Sequence, residues 1–284
     1  MKNGRFPYAR ILPVLPSVLV FTAFFAVPLA YFFIISFWRV RAFQLRPDAT
    51  LAQYEAVFLD YSGPLIFTLG MALAIGLTTT LIAFAFAFFC RFRAYRFGTA
   101  LIFVTLLALF GGYLTKIYMW KTILGSAGIL NSALLAIGLI DNPITALLYN
   151  PVAVVITLVH YTLPLAVLPI YGSLKGIDDI PLEAARDLGA SRMRIFADII
   201  VPQCRVGILS AFSLSFIFAA GDYVTPLMVG GPSSSMIGLF IQNQFGTRLN
   251  SPLGSAMSFV VIGCCVVIIL TVAAALFAVT RRRD

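Results

Sequence analysis

A chain of 284 residues that is 61% hydrophobic and 11% charged, with a mean hydropathy of +0.98, lies outside the range of water-soluble domains, which average about 25% charged residues. Its net charge of +9 is split among short loops rather than gathered on one surface, so the charge does not call for nucleic acid as a partner. Four cysteines near or within apolar runs, one histidine and no Cys-x-x-Cys pair support neither a disulfide framework nor a metal site.

A bilayer core of roughly 30 Å needs about 20 apolar residues per helix. Six stretches supply them: residues 11–37, 65–90, 98–120, 144–171, 206–229 and 253–279. The runs are continuous and lack the two-residue alternation of barrel strands. The expected fold class is therefore an all-α integral membrane protein with six transmembrane helices, forming one domain over residues 1–284. The first stretch exceeds the apolar core of a signal peptide, about 7–15 residues, and reads as an uncleaved anchor.

Between the first two spans, Ala49 to Leu59 has the pattern of a short amphipathic helix. The third span is interrupted by Gly111-Gly112 and by Lys116, whose ammonium is expected to snorkel to the headgroups. Ile129 to Ile140 is too short to cross and reads as a helix near the interface, with Gly125, Gly128, Asn131 and Asn142 as breakers. In the fourth span His160 reads as a hydrogen-bonded packing residue, and Pro164 and Pro169 open the backbone.

The fifth span carries Asp222, roughly 24 Å beyond Val206 along a helix. A carboxylate at that depth needs a cavity, a partner or water. Two readings stand: Asp222 lines the outer part of a path, or it is an interfacial acid solvated from outside. Tyr223 beside it is either a ring contact for a cation or an interface anchor.

Basic residues set the orientation. With the amino terminus inside, Lys2, Arg5, Arg10, Arg91, Arg93, Arg96, Lys175, Arg186, Arg192, Arg194, Arg205, Arg281, Arg282 and Arg283 face the cytoplasm. Arg39, Arg41, Arg46, Lys116, Lys121 and Arg248 face outward, completing the 20 Lys and Arg of the chain. The excess on one side places both termini in the cytoplasm.

The cytoplasmic segment 175–204 is the polar part of the chain with the clearest design. Asp178 and Asp179 precede Pro181, a common helix start. Leu182, Ala185, Gly189, Met193 and Phe196 recur every three to four residues and form an apolar stripe, with Glu183, Arg186, Asp187 and Arg194 off it. Gly189-Ala190-Ser191 reads as a bend, with Ser191 capping a second helix from Arg192. Small residues at Ala184, Ala185 and Gly189 admit another backbone, and Glu183 offers a charge to register it. These residues alone fit either a connector lying on the inner face or a docking helix.

Glu183-Ala184-Ala185, Gly189, Ile199 and Val201-Pro202, at this spacing, resemble the signature of binding-protein-dependent ABC transporter permeases, with Val201 where leucine is usual. Three further segments resemble the spermidine/putrescine-type branch. They are Trp120 to Asn131, Gly221-Asp222-Tyr223-Val224-Thr225-Pro226, and Gly230-Gly231-Pro232 followed by Met236-Ile237-Gly238 and Ile241.

The resemblance implies a type I ABC importer membrane domain that forms half of a translocation path for a small polar solute, a polyamine or related amine. Its partners would be two copies of a cytoplasmic ATP-binding subunit, a second permease subunit homologous to this one, and an extracytoplasmic solute-binding protein. ATP and Mg would bind the ATPase; this chain would carry no cofactor and no catalysis. ATPase coupling would fall to Glu183, Ala184, Ala185, Asp187, Gly189, Arg194, Ile199 and Pro202, and the substrate path to Asp222 and Tyr223. The chain has no Gly-x4-Gly-Lys-Ser/Thr phosphate loop, which agrees. An ion-coupled carrier working without an ATPase, and a non-transporting scaffold, are the competing readings; few intramembrane ionisable groups and no visible repeat weigh against the first of them.

Overall fold

The computed structural model describes residues 14–42, 44–94 and 96–281. Residues 11–13 of the first expected span, and the basic residues Lys2, Arg5, Arg10, Arg282 and Arg283, lie outside them. The chain divides into two compact units, Met1–Ser62 with Phe240–Val260, and Gly63–Leu239 with Val261–Asp284.

The first unit opens with helix α1 (Leu15–Ile35). Within it Thr22–Ala26 forms one wide π-type turn, closed by the Val27 N–H on the Thr22 carbonyl. The next residue is Pro28, which has no N–H to give, and the wide turn takes up that missing bond. A short antiparallel hairpin follows, β1 (Arg39–Arg41) on β2 (Gln44–Arg46), with Arg39 opposite Arg46. Helix α2 (Ala52–Asp60) realises the amphipathic segment expected there. It is tied back by Tyr54 to Ser36 at 2.8 Å and by Gln53 donating to the Trp38 carbonyl at 3.2 Å. Rings of this unit meet at Phe32–Phe245 and Phe33–Phe259.

The second unit holds α3 (Ser62–Phe92), α4 (Gly98–Phe110), α5 (Tyr113–Leu124), α6 (Ile129–Ala136) and α7 (Pro151–Lys175). Then come α8 (Asp179–Asp187), α9 (Arg192–Gln203) and α10 (Arg205–Gly221). Helices α11 (Ile237–Gly246) and α12 (Ser251–Arg281) each run through a unit boundary. Helices α1, α3, α7 and α12 are long and apolar enough to cross a membrane. Two bent pairs raise the number of spans to as many as six.

The differences from expectation lie at the bends. The third span does not run straight from 98 to 120: α4 ends before Gly111-Gly112, and the helical stretch Tyr113–Ala136 leaves at 99°. The fourth starts at Pro151 rather than 144, with the Asn150 side chain accepting from the Ala153 N–H at 2.9 Å. The fifth stops at Gly221, and after a break a π-type turn spans Pro226–Gly230. Asn131 is no breaker: it is buried in α6, donating to the carbonyls of Gly125 and Ile144 and accepting from the Ile144 N–H.

Helices α7 and α10 approach closely where Gly207 faces Pro169 and Ser173; a Cβ there would lie 2.6 Å from the Pro169 carbonyl oxygen. Such small-residue contacts, with interhelical hydroxyl pairs such as Thr79–Thr162 at 3.1 Å, hold helices together where lipid removes the hydrophobic drive.

Candidate functional site

The segment between α7 and α10 is built as a helix, a sharp turn and a second helix. α8 ends in a left-handed glycine, Gly189 at φ +81°. The Ala190 N–H reaches back to the Ala185 carbonyl and the Gly189 N–H to that of Arg186, both at 2.9 Å. This closure satisfies two carbonyls at the helix end and needs a residue that tolerates positive φ. Ser191 then caps α9, accepting from the Arg194 N–H at 3.3 Å, as the sequence indicates.

The turn also shifts the phase of the apolar stripe. Leu182 is buried and Ala185 packs against the core, but Met193 is 73% exposed and Ile195 is buried in its place. The inner face rests on a cluster that includes Ala87, Cys90, Ile170, Leu174 and Cys204, at the ends of α3 and α7 and the start of α10. Arg91 of α3 adds a hydrogen-bonded ion pair to Asp179 at 2.9 Å. Phe196 of α9 is set edge-on to Phe84 and to Phe88 of α3, each at 5.8 Å, and Phe88 meets Phe92 at 4.9 Å.

The outer face is open. Glu183, Ala184, Asp187, Gly189 and Arg194 are exposed, while Ile199 and Pro202 are half-buried further along α9. The reading from sequence missed Ile180 and Leu188, which are 78% and 89% exposed and share a face with Ala184 at four-residue spacing. Large apolar side chains left bare around a carboxylate mark an interaction surface. The i, i+4, i+8 recurrence of Ile180, Ala184 and Leu188, opposite Leu182, was the available signal. Pro202 follows a π-type turn, Phe196–Ile200, closed by the Val201 N–H on the Phe196 carbonyl, the same device as before Pro28. Helices α9 and α10 meet at 66° just beyond it.

The second region surrounds the break after α10. Asp222 lies at the helix end rather than inside the span, and it is 7% exposed. One carboxylate oxygen, Oδ1, accepts from the Tyr113 hydroxyl at 2.6 Å, the Val224 N–H at 2.9 Å and the Thr225 N–H at 3.4 Å. It thereby starts the short helical piece before Pro226. The other oxygen, Oδ2, is buried without a hydrogen-bond partner.

Tyr113 also meets the Thr225 hydroxyl at 2.8 Å, and its ring sits edge-on to Tyr161 at 4.8 Å and to Phe218 at 5.8 Å. Lys116, one turn along α5, does not snorkel. It is 5% exposed, its Nζ lies 4.9 Å from the centre of the Tyr161 ring, and it has no hydrogen-bond partner. Tyr223 stands apart from this ring cluster in the described contacts, 38% exposed, with its backbone neighbour Asp222 close to Gly238. His160 is exposed, with its ring edge-on to Trp120 at 5.6 Å, and the hydrogen bond expected of it is not seen among the described residues. The signal for this region was Asp222 four residues before Pro226, a helix-start pattern inside an apolar run.

Residues 98–283 match the family described as binding-protein-dependent transport system inner membrane component. The chain is 34% identical over 225 residues to the spermidine/putrescine transport system permease protein PotB of Escherichia coli (strain K12), covering 76% of this chain and 82% of that protein. It is 28% identical over 227 residues to the inner membrane ABC transporter permease protein YdcU of the same organism, 75% of this chain and 72% of that protein. In fold it is similar to a chain of a bacterial alginate ABC transporter, crystallised with an alginate pentasaccharide-bound periplasmic protein. The TM-score is 0.73 at 14% identity, over 96% of this chain and 95% of that one.

Proposed function

The chain belongs to the family of binding-protein-dependent transport system inner membrane components, and from that premise we propose that it forms half of the translocation path of a polyamine importer. It is a multi-pass inner-membrane permease subunit of an ABC-type importer, working with a separate ATPase and carrying no catalytic step itself. Membership of this family sets aside the lone gradient-driven carrier and the scaffold.

The finer reading is a type I importer fold over residues 1–284 with both termini in the cytoplasm. Two ATPase copies bind ATP and Mg beneath this chain and a second, homologous permease. A solute-binding protein delivers the polyamine from outside. The supporting relative for the substrate is the spermidine/putrescine permease, 34% identical.

The observation that carries the coupling role is the outer face of α8, where Glu183 stands exposed among bare Ile180, Ala184 and Leu188 on a helix seated on α3 and α7. Closure of the ATPase pair pushes on this face. Gly189 holds the turn, Arg194 flanks it, and Ile199 and Pro202 pass the displacement into α10.

The test is affinity purification from mild-detergent membranes with all partner subunits co-expressed. Wild type should bring down a P-loop ATPase; Glu183→Lys combined with Gly189→Trp should lose it while keeping the second permease. Retention of the ATPase by that variant would move the coupling site elsewhere.

A further inference from the structure

Two buried charges of opposite sign sit in one aromatic cluster without completing each other. The Lys116 ammonium faces the Tyr161 ring at 4.9 Å and makes no hydrogen bond. Asp222 Oδ2 is buried and unpartnered, while Oδ1 is held by Tyr113, whose ring contacts the same Tyr161. The two charges form no ion pair within 4.0 Å of each other. Burying a charge without a partner is costly, and proteins remove such groups unless they serve a purpose. The cluster holds what an alkylammonium requires, a ring face that already takes an ammonium and a free carboxylate oxygen.

We propose that Lys116 is a tethered occupant of an ammonium seat. In the empty permease its own ammonium covers the Tyr161 face and keeps the seat closed. When the path opens, the primary ammonium of the substrate displaces it, lies over Tyr161 and donates to Asp222 Oδ2. Lys116 then swings away on its four-carbon stem. Tyr113 fixes the carboxylate through Oδ1 so that Oδ2 stays free for the incoming donor. The seat reads one ammonium end of an aliphatic amine and leaves the rest of the chain unread. This inference rests on the polyamine reading of the substrate.

The test is uptake of radiolabelled putrescine by the complete transporter in proteoliposomes, with its solute-binding protein and ATP supplied. Lys116→Met keeps the length of the side chain and removes the competing cation, so KM should fall roughly fivefold, the worth of one cation–ring contact. Lys116→Arg keeps a competitor, and KM should stay near wild type. Asp222→Asn should raise KM. Because Lys116→Met removes an unpaired buried charge, the purified complex should melt no lower than wild type, and putrescine should raise its Tm further than it does for wild type. Putrescine uptake with an unchanged or raised KM in Lys116→Met would overturn the seat and leave the polyamine reading intact. No putrescine uptake by wild type, with ATPase still bound, would overturn both.

Discussion

Gly189 separates backbone conformation from side-chain size as few positions do. Its φ is +81°, yet nothing lies within 4 Å of where a Cβ would sit. Any loss on substitution therefore comes from the left-handed backbone alone, about 1 kcal/mol for alanine and less for asparagine. Gly189→Asn should retain more bound ATPase than Gly189→Ala in the same pull-down; equal loss would mean that the bend is not under conformational constraint. This glycine was legible in the sequence, as were Ser191 as a cap and Glu183 as an exposed charge. Lys116 was not. Its expected escape to the headgroups assumes a straight third span, and the 99° turn at Gly111-Gly112 places it instead over the Tyr161 ring of α7.

At the scale of elements, the existence of the spans was written in hydropathy, because an apolar run of some 20 residues has few other uses. Their interruptions were not. Gly111-Gly112 and Gly221-Asp222 lie inside apolar runs, and hydropathy does not distinguish a helix that turns from one that continues. What ends α10 is a carboxylate that gathers three hydrogen bonds, one from a residue 109 positions away, and only the fold brings that donor near.

Helix contact makes its own prediction. Gly207→Ala pushes a methyl against the Pro169 carbonyl, which cannot rotate aside, and overpacking of this kind costs about 1–3 kcal/mol. Gly172→Ala on α7 meets nothing within 4 Å and should be neutral or stabilising by about 0.5–1 kcal/mol. Melting of the detergent-solubilised complex should order the three as Gly172→Ala at or above wild type, with Gly207→Ala below.

For the whole molecule the prediction concerns sidedness. Cys90, Cys204 and Cys265 are buried and Cys264 is half-buried, so a membrane-impermeant thiol reagent meets a low background. With both termini inside, Glu183→Cys should label in inverted vesicles and not in intact spheroplasts, and Arg46→Cys should do the reverse. The opposite pattern would invert the topology and overturn the proposed ATPase contact at Glu183.

The Phe196 ring fixes how α9 lies on α3. It sits edge-on to both Phe84 and Phe88 at 5.8 Å, whereas Phe88 and Phe92 touch at 4.9 Å and leave no second gap for a ring. A slide of α9 along α3 toward Phe92 has to lift the ring over Phe88 and finds no equivalent seat beyond it. The contact is therefore a stop, and α9 and α3 resist sliding past one another.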